Sequence, residues 1–90
     1  MTRTNLMKSL KKRFPKMFLK TTEEFGITKG GIWTSGEDFY KDEKGNVLFD
    51  YYDLYGDFIF GVNKSFAKWL EKRGWFCEWF DPGTIMIWKI

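Results

Sequence analysis

Along the chain the spacing of apolar residues switches between helical and strand periods. Leu6, Met7, Leu10 and Phe14 recur at helical intervals with bases on the other faces, predicting an N-terminal helix capped by Thr4 or Asn5. Pro15 disfavours helical geometry at Phe14 and should stop or kink that helix, with Met17, Phe18 and Leu19 continuing as a second short helical piece. Thr21 and Glu24 stand at capping-box spacing ahead of Gly26, enough for one further turn. Beyond Gly30-Gly31 the period falls to two. Ile32-Trp33-Thr34, Phe39-Tyr40-Lys41 and Val47-Leu48-Phe49-Asp50-Tyr51 read as strands, the last two flanking Asp42-Glu43-Lys44-Gly45-Asn46 as a hairpin. Tyr55-Gly56-Asp57 marks a turn before Phe58-Ile59-Phe60.

Asn63 is a good cap for a helix over 63–73 that lines up Phe66, Trp69 and Leu70, and Gly74 stops it. Trp75 to Phe80 and Ile85 to Ile90 then flank Asp81-Pro82-Gly83-Thr84, a tight reversal. Pairing Phe80 with Ile85 puts Trp75, Cys77, Trp79, Met86, Trp88 and Ile90 on one apolar face. Phe76, Glu78, Phe80, Ile85, Ile87 and Lys89 take the other face, with Glu78 and Lys89 as diagonal neighbours. That second face forms an exposed apolar patch unless the N-terminal helix covers it through Leu6, Leu10 and Phe14.

The elements assemble into an α+β fold, one domain over residues 1–90. A basic helical segment (1–22), strands with a hairpin (31–60), and a helix with a C-terminal hairpin (63–90) follow in order. The sheet is expected to be mostly antiparallel with about four or five strands.

Composition narrows the chemistry. Ten Phe, five Trp and four Tyr outnumber the large aliphatics, while there is no His and one Cys. Internal disulfides, conventional zinc sites and histidine-based catalysis are thereby excluded. Cys77 stands two residues from a tryptophan on either side and reads as a core thiol. Gly26 and Gly31 have phosphate-loop spacing, but Ile32-Trp33 occupies the positions that need Lys and Ser/Thr. Asp42-Glu43-Lys44 sits at a loop tip, where flexible side chains do not fix a metal. No catalytic residue, metal ligand or cofactor is predicted. The start of the chain lacks an apolar leader pattern and no run is long enough to span a bilayer, so the expected location is the cytoplasm.

Charge is segregated. Residues 1–22 hold seven bases and no acid, residues 23–60 nine acids and three bases, and the net charge is +3. Lys8, Lys11, Lys12, Arg13 and Lys16 make a basic arm that suits phosphates, as a nucleic-acid-binding module needs. The same arm equally suits the acidic middle of its own chain. Arg73-Gly74-Trp75-Phe76-Cys77-Glu78-Trp79-Phe80 departs from the RNA-recognition strand signature at Phe76, Cys77 and Glu78.

The tail from Gly74-Trp75-Phe76-Cys77-Glu78-Trp79-Phe80 through Asp81-Pro82-Gly83-Thr84 to Ile85-Met86-Ile87-Trp88 resembles the C-terminal hairpin of small uncharacterised proteins encoded by tailed phages. That resemblance covers the hairpin and the helix before it. It implies a role in host takeover or anti-defence, where small non-enzymatic proteins block a larger host machine, and transfers no functional residues.

The aromatic excess points the same way, because Trp and Tyr dominate binding hot spots. The reading is therefore an interaction protein that binds a larger protein or a second copy of itself, with nucleic-acid binding as the alternative. Its interface candidates are Tyr51, Tyr52, Asp53 and Tyr55 in the acidic-aromatic stretch, and Phe76, Glu78, Phe80 and Lys89 on the hairpin.

Overall fold

The computed structural model of the chain describes residues 1–52 and 58–90. In order the elements are α1 (Arg3–Arg13), β1 (Lys20–Thr21), α2 (Thr22–Phe25), β2 (Ile32–Ser35), β3 (Phe58–Ile59), β4 (Val62–Asn63), α3 (Lys64–Glu71), β5 (Trp75–Asp81) and β6 (Thr84–Lys89). Four strands form an antiparallel sheet in the order β1-β2-β6-β5, and β3 pairs with β4 as a separate ribbon. The fold is α+β, as expected.

Helix α1 starts two or three residues earlier than the expected caps at Thr4 or Asn5. Thr2 is the N-cap and its hydroxyl accepts from the Asn5 N–H. It ends at Arg13, before Pro15, and Met17 to Leu19 do not form the second helical piece expected there. The backbone of residues 17–18 is held from elsewhere: Lys11 donates to the Met17 carbonyl, the Phe18 N–H donates to the Tyr40 hydroxyl, and the Thr34 hydroxyl donates to the Phe18 carbonyl. These partners, with Met17 fully buried, hold the segment out of helical geometry. The Thr21–Glu24 capping box and the left-handed Gly26 are both present in α2.

The hairpin expected around residues 42–46 reduces to isolated pairings, Lys41 with Val47 and Phe49 with Val62. Its tip is built by Asp42, whose carboxylate accepts from the Lys44 and Asn46 N–H groups. Asn63 caps α3 through its Oδ1 while its Nδ2 donates to the Val47 carbonyl, which ties this arm to the helix.

The larger correction concerns the C-terminal hairpin. Asp81 pairs with Thr84 around Pro82-Gly83, but from Trp79 back to Trp75 the partners are Ile85 through Lys89, one residue out of step with the expected pairing. A bulge at Phe80 absorbs the extra residue. Because side chains alternate, this slip exchanges faces along β6. Trp75, Cys77 and Trp79 share a face with Ile85, Ile87, Ile32 and Thr34, while Phe76 and Glu78 share the other with Met86, Trp88 and Trp33. Lys89, opposite Trp75, is thus on the face away from Glu78, and the expected diagonal pair does not form.

Both long helices lie on the first face. Leu6, Leu10 and Phe14 of α1 join Phe66 and Leu70 of α3, Ile32, Ile85, Ile87 and Trp75 in one buried core. The N-terminal helix therefore does not cover the second face. That face is covered only in part, by α2: Phe25 meets Trp33 and Phe80 edge-on at 4.8 and 4.9 Å. The loop after α2 lies so close that a Cβ on Gly31 would come within 2.6 Å of the Trp88 ring. Met86 is buried there, whereas Phe76 and Phe80 remain 42% and 52% exposed.

Candidate protein interface

Strand β5 is an outer strand, and most of the exposed aromatic residues gather around it, with Phe39 lying elsewhere. On its helix side, Trp79 is half-buried and its indole N–H donates to the Phe60 carbonyl at 2.7 Å. Tyr51 stands edge-on to Trp79 at 5.2 Å and Tyr52 edge-on to Tyr51 at 5.4 Å. On its other side lie Phe76, Glu78 and Phe80. The two separate candidate groups, one in the acidic-aromatic stretch and one on the hairpin, thus flank one strand. Lys89 lies apart from them on β6, exposed, and Asp53 and Tyr55 fall outside the described residues.

Phe60 is the residue that sequence reasoning missed. It and Gly61 form the two-residue turn between β3 and β4, with φ of 49° and 74°. Paired positive φ values suit Asn-Gly, and a bulky aromatic in the left-handed region is strained by about 1–2 kcal/mol. Gly61 is required twice over, since a Cβ there would meet the Asp50 carbonyl oxygen at 2.8 Å and the Trp79 indole at 3.1 Å. The turn holds the Phe60 ring 90% exposed. The Phe-Gly dipeptide between Phe58-Ile59 and Val62-Asn63 was the available signal.

Between the ribbon, α3 and β5 runs a groove of about 570 Å³. Ile59, Phe60, Ala67, Phe76 and Cys77 line it, with Glu71 and Glu78 as its acids and, among the described residues, no base. Burial pushes the Cys77 thiol above its ordinary range, so the cysteine is held as an unreactive thiol.

The basic arm is partly spent inside the fold. Arg13 pairs with Glu43 at 2.8 Å and its guanidinium lies over the Phe14 and Trp69 rings. Arg3 pairs with Glu23 at 2.7 Å. These hydrogen-bonded guanidinium partners hold both carboxyls down at about 2, from an ordinary 4.5. Lys11 is tied to the Met17 carbonyl, while Lys8, Lys12 and Lys16 are exposed. Of the two readings of the arm, contact with the acidic middle is realised at Glu23 and Glu43.

Among the described residues no cluster of His, Cys, Asp and Glu has the geometry of a metal site, and no helix is long and apolar enough to cross a membrane. Asp50 is buried and accepts from the Tyr52 N–H, which fixes the start of the acidic-aromatic stretch. No family model, no curated protein and no solved structure matches the chain.

Proposed function

We propose that this chain is a non-enzymatic interaction domain that grips a larger protein through the flanks of β5 and so blocks or adapts it. The observation that carries this reading is Phe60. A ring held 90% exposed on a left-handed backbone is unfavourable twice in the free protein. Burying it in a partner recovers about 1.5–3 kcal/mol of transfer free energy, the contribution of an anchor residue. Tyr51, Tyr52, Phe76 and Phe80 around it supply large, rigid contact area. The resemblance of the hairpin to phage-encoded proteins makes a host protein the proposed target, and the unpaired Cys77 suits the reducing cytoplasm as its compartment.

A tagged full-length chain used as bait, with nuclease treatment of the lysate, tests the proposal. One stoichiometric protein that survives nuclease and is lost with Phe60→Asn is the expected result. Loss of every partner on nuclease treatment, with retention of nucleic acid by the purified chain at low salt, overturns it in favour of nucleic-acid binding through Lys8, Lys12 and Lys16.

A further inference from the structure

The hydrogen-bonding phase of β5 shows which of its peptide groups are open. The Ile90 N–H donates to the Gly74 carbonyl at 2.8 Å, so Gly74 and Ile90 form a hydrogen-bonded pair. Such pairs alternate along an antiparallel ladder, which assigns Phe76–Trp88 and Glu78–Met86 to the bonded set. The N–H and C=O groups of Trp75, Cys77 and Trp79 therefore point away from β6, toward the groove. Among the described residues no hydrogen bond from outside the strand ladder reaches them. Trp75 is buried and closes the inner end, while Cys77 and Trp79 are partly exposed.

From this we infer that β5 takes an extended basic segment of the partner protein as a fifth strand of the sheet. The inference rests on the interaction reading above and specifies its mode. Main-chain bonds to Cys77 and Trp79 supply the ladder, and side chains on alternate positions supply selectivity. On the outer face Phe76 and then Glu78 call for an apolar residue and a Lys or Arg two positions apart on the added strand, short of the bulge at Phe80. On the helix side, Glu71 offers a second carboxylate to a basic residue beside Ile59 and Phe60. Neither Glu71 nor Glu78 has an ion-pair partner among the described residues, so both are available to the incoming charge. A second copy of the chain is the poorer occupant, because pairing β5 with itself brings two sets of Glu71 and Glu78 into one strip.

The probe is a synthetic heptapeptide, Thr-Thr-Val-Thr-Lys-Thr-Thr, which sets valine and lysine two positions apart on one face of an extended strand, with the peptide carrying glutamate in place of lysine as control. Fluorescence anisotropy and amide hydrogen exchange are read on the full chain. The expected result is binding of the lysine peptide alone, with slowed exchange at Cys77 and Trp79. Glu78→Lys should weaken the lysine peptide at least about tenfold and admit the glutamate peptide. Phe60→Asn should weaken it while raising the melting temperature, since Asn accepts the left-handed turn, so the lost affinity is not lost folding. Equal binding of both peptides, or protection confined to other residues, overturns the inference. So does a concentration-dependent dimer of the free chain whose protection lies on β5, which assigns the edge to a second copy. If Phe60→Asn releases the captured protein but that protein leaves the Cys77 and Trp79 amides exchanging freely, the interaction reading stands and strand addition fails.

Discussion

The sheet has two outer strands, and they treat their open peptide groups in opposite ways. At β1 the Thr22 N–H bonds to the Gly31 carbonyl, so the outward-pointing N–H belongs to Thr21, and the Glu24 carboxylate accepts it at 2.8 Å. The strand is two residues long and the chain leaves it at once into α2. At β5 the strand is seven residues long and, among the described residues, no side chain takes the outward N–H of Cys77 or Trp79. Proteins ordinarily shield such edges with charge, brevity or bulges. One acid takes the outward N–H of the first edge. The second is limited only by Glu78 and the bulge at Phe80. An edge left open beside the left-handed, exposed Phe60 is the difference on which the proposed binding role of β5 rests.

The comparison breaks most severely at Trp75. It is 1% exposed and its indole N–H donates to the Met1 carbonyl at 2.9 Å, so Trp75→Ala should cost about 3–5 kcal/mol by urea denaturation. Trp79→Ala should cost less, about 1–3 kcal/mol, because that ring is only half-buried. If the two variants are equally unstable, the inner end of β5 is not the better anchored one.

Opening the closed edge is a smaller perturbation. Glu24→Ala removes the acceptor of the Thr21 N–H and half the capping box, at about 0.5–2 kcal/mol. Amide exchange at Thr21 should then rise to the rate seen at Cys77 in the free protein. An unchanged Thr21 rate would mean that the carboxylate does not shield that edge.

Acid tests the clamps around α1. The Glu23 and Glu43 carboxyls titrate near 2 when folded against 4.5 ordinarily, so each favours the folded state above pH 4.5 and loses that contribution as pH falls toward 2. The melting temperature should fall through that window, and less steeply in Arg3→Gln with Arg13→Gln. Parallel profiles for parent and variant would remove the clamps from the account. The smallest effect is expected for Lys8→Gln with Lys12→Gln, whose exposed ammonium groups should change stability by no more than about 0.5 kcal/mol.

What was legible in the sequence follows the range of the forces involved. The caps at Thr21 and Asn63, the stop before Pro15, the helix over Phe66 and Leu70 and the reversal at Pro82-Gly83 are set by neighbours in sequence, and their locations match. The helical reading of Met17 to Leu19 failed because Tyr40 and Thr34, distant in the chain, bind that backbone. The hairpin register failed at one bulged residue, which carried Ile85 and Ile87 into the core and Met86 to the opposite face. Tyr51, Tyr52, Phe76, Glu78 and Phe80 were legible as surface candidates by residue type. That they flank one strand depends on strand order, which no local pattern encodes.

Under the strand-addition proposal, the bulge at Phe80 also sets a timescale. A guest strand can stay in step with β5 only from Trp75 to Trp79, since beyond that the edge bends out of phase. So short a ladder gives few main-chain bonds to break, and dissociation is correspondingly fast. Deleting Phe80 would join Trp79 to Asp81 without the extra residue and straighten the edge. Such a chain would hold its guest longer, and would also present other copies of itself with a flat, uninterrupted strand. On that proposal the bulge exchanges residence time for protection against self-association.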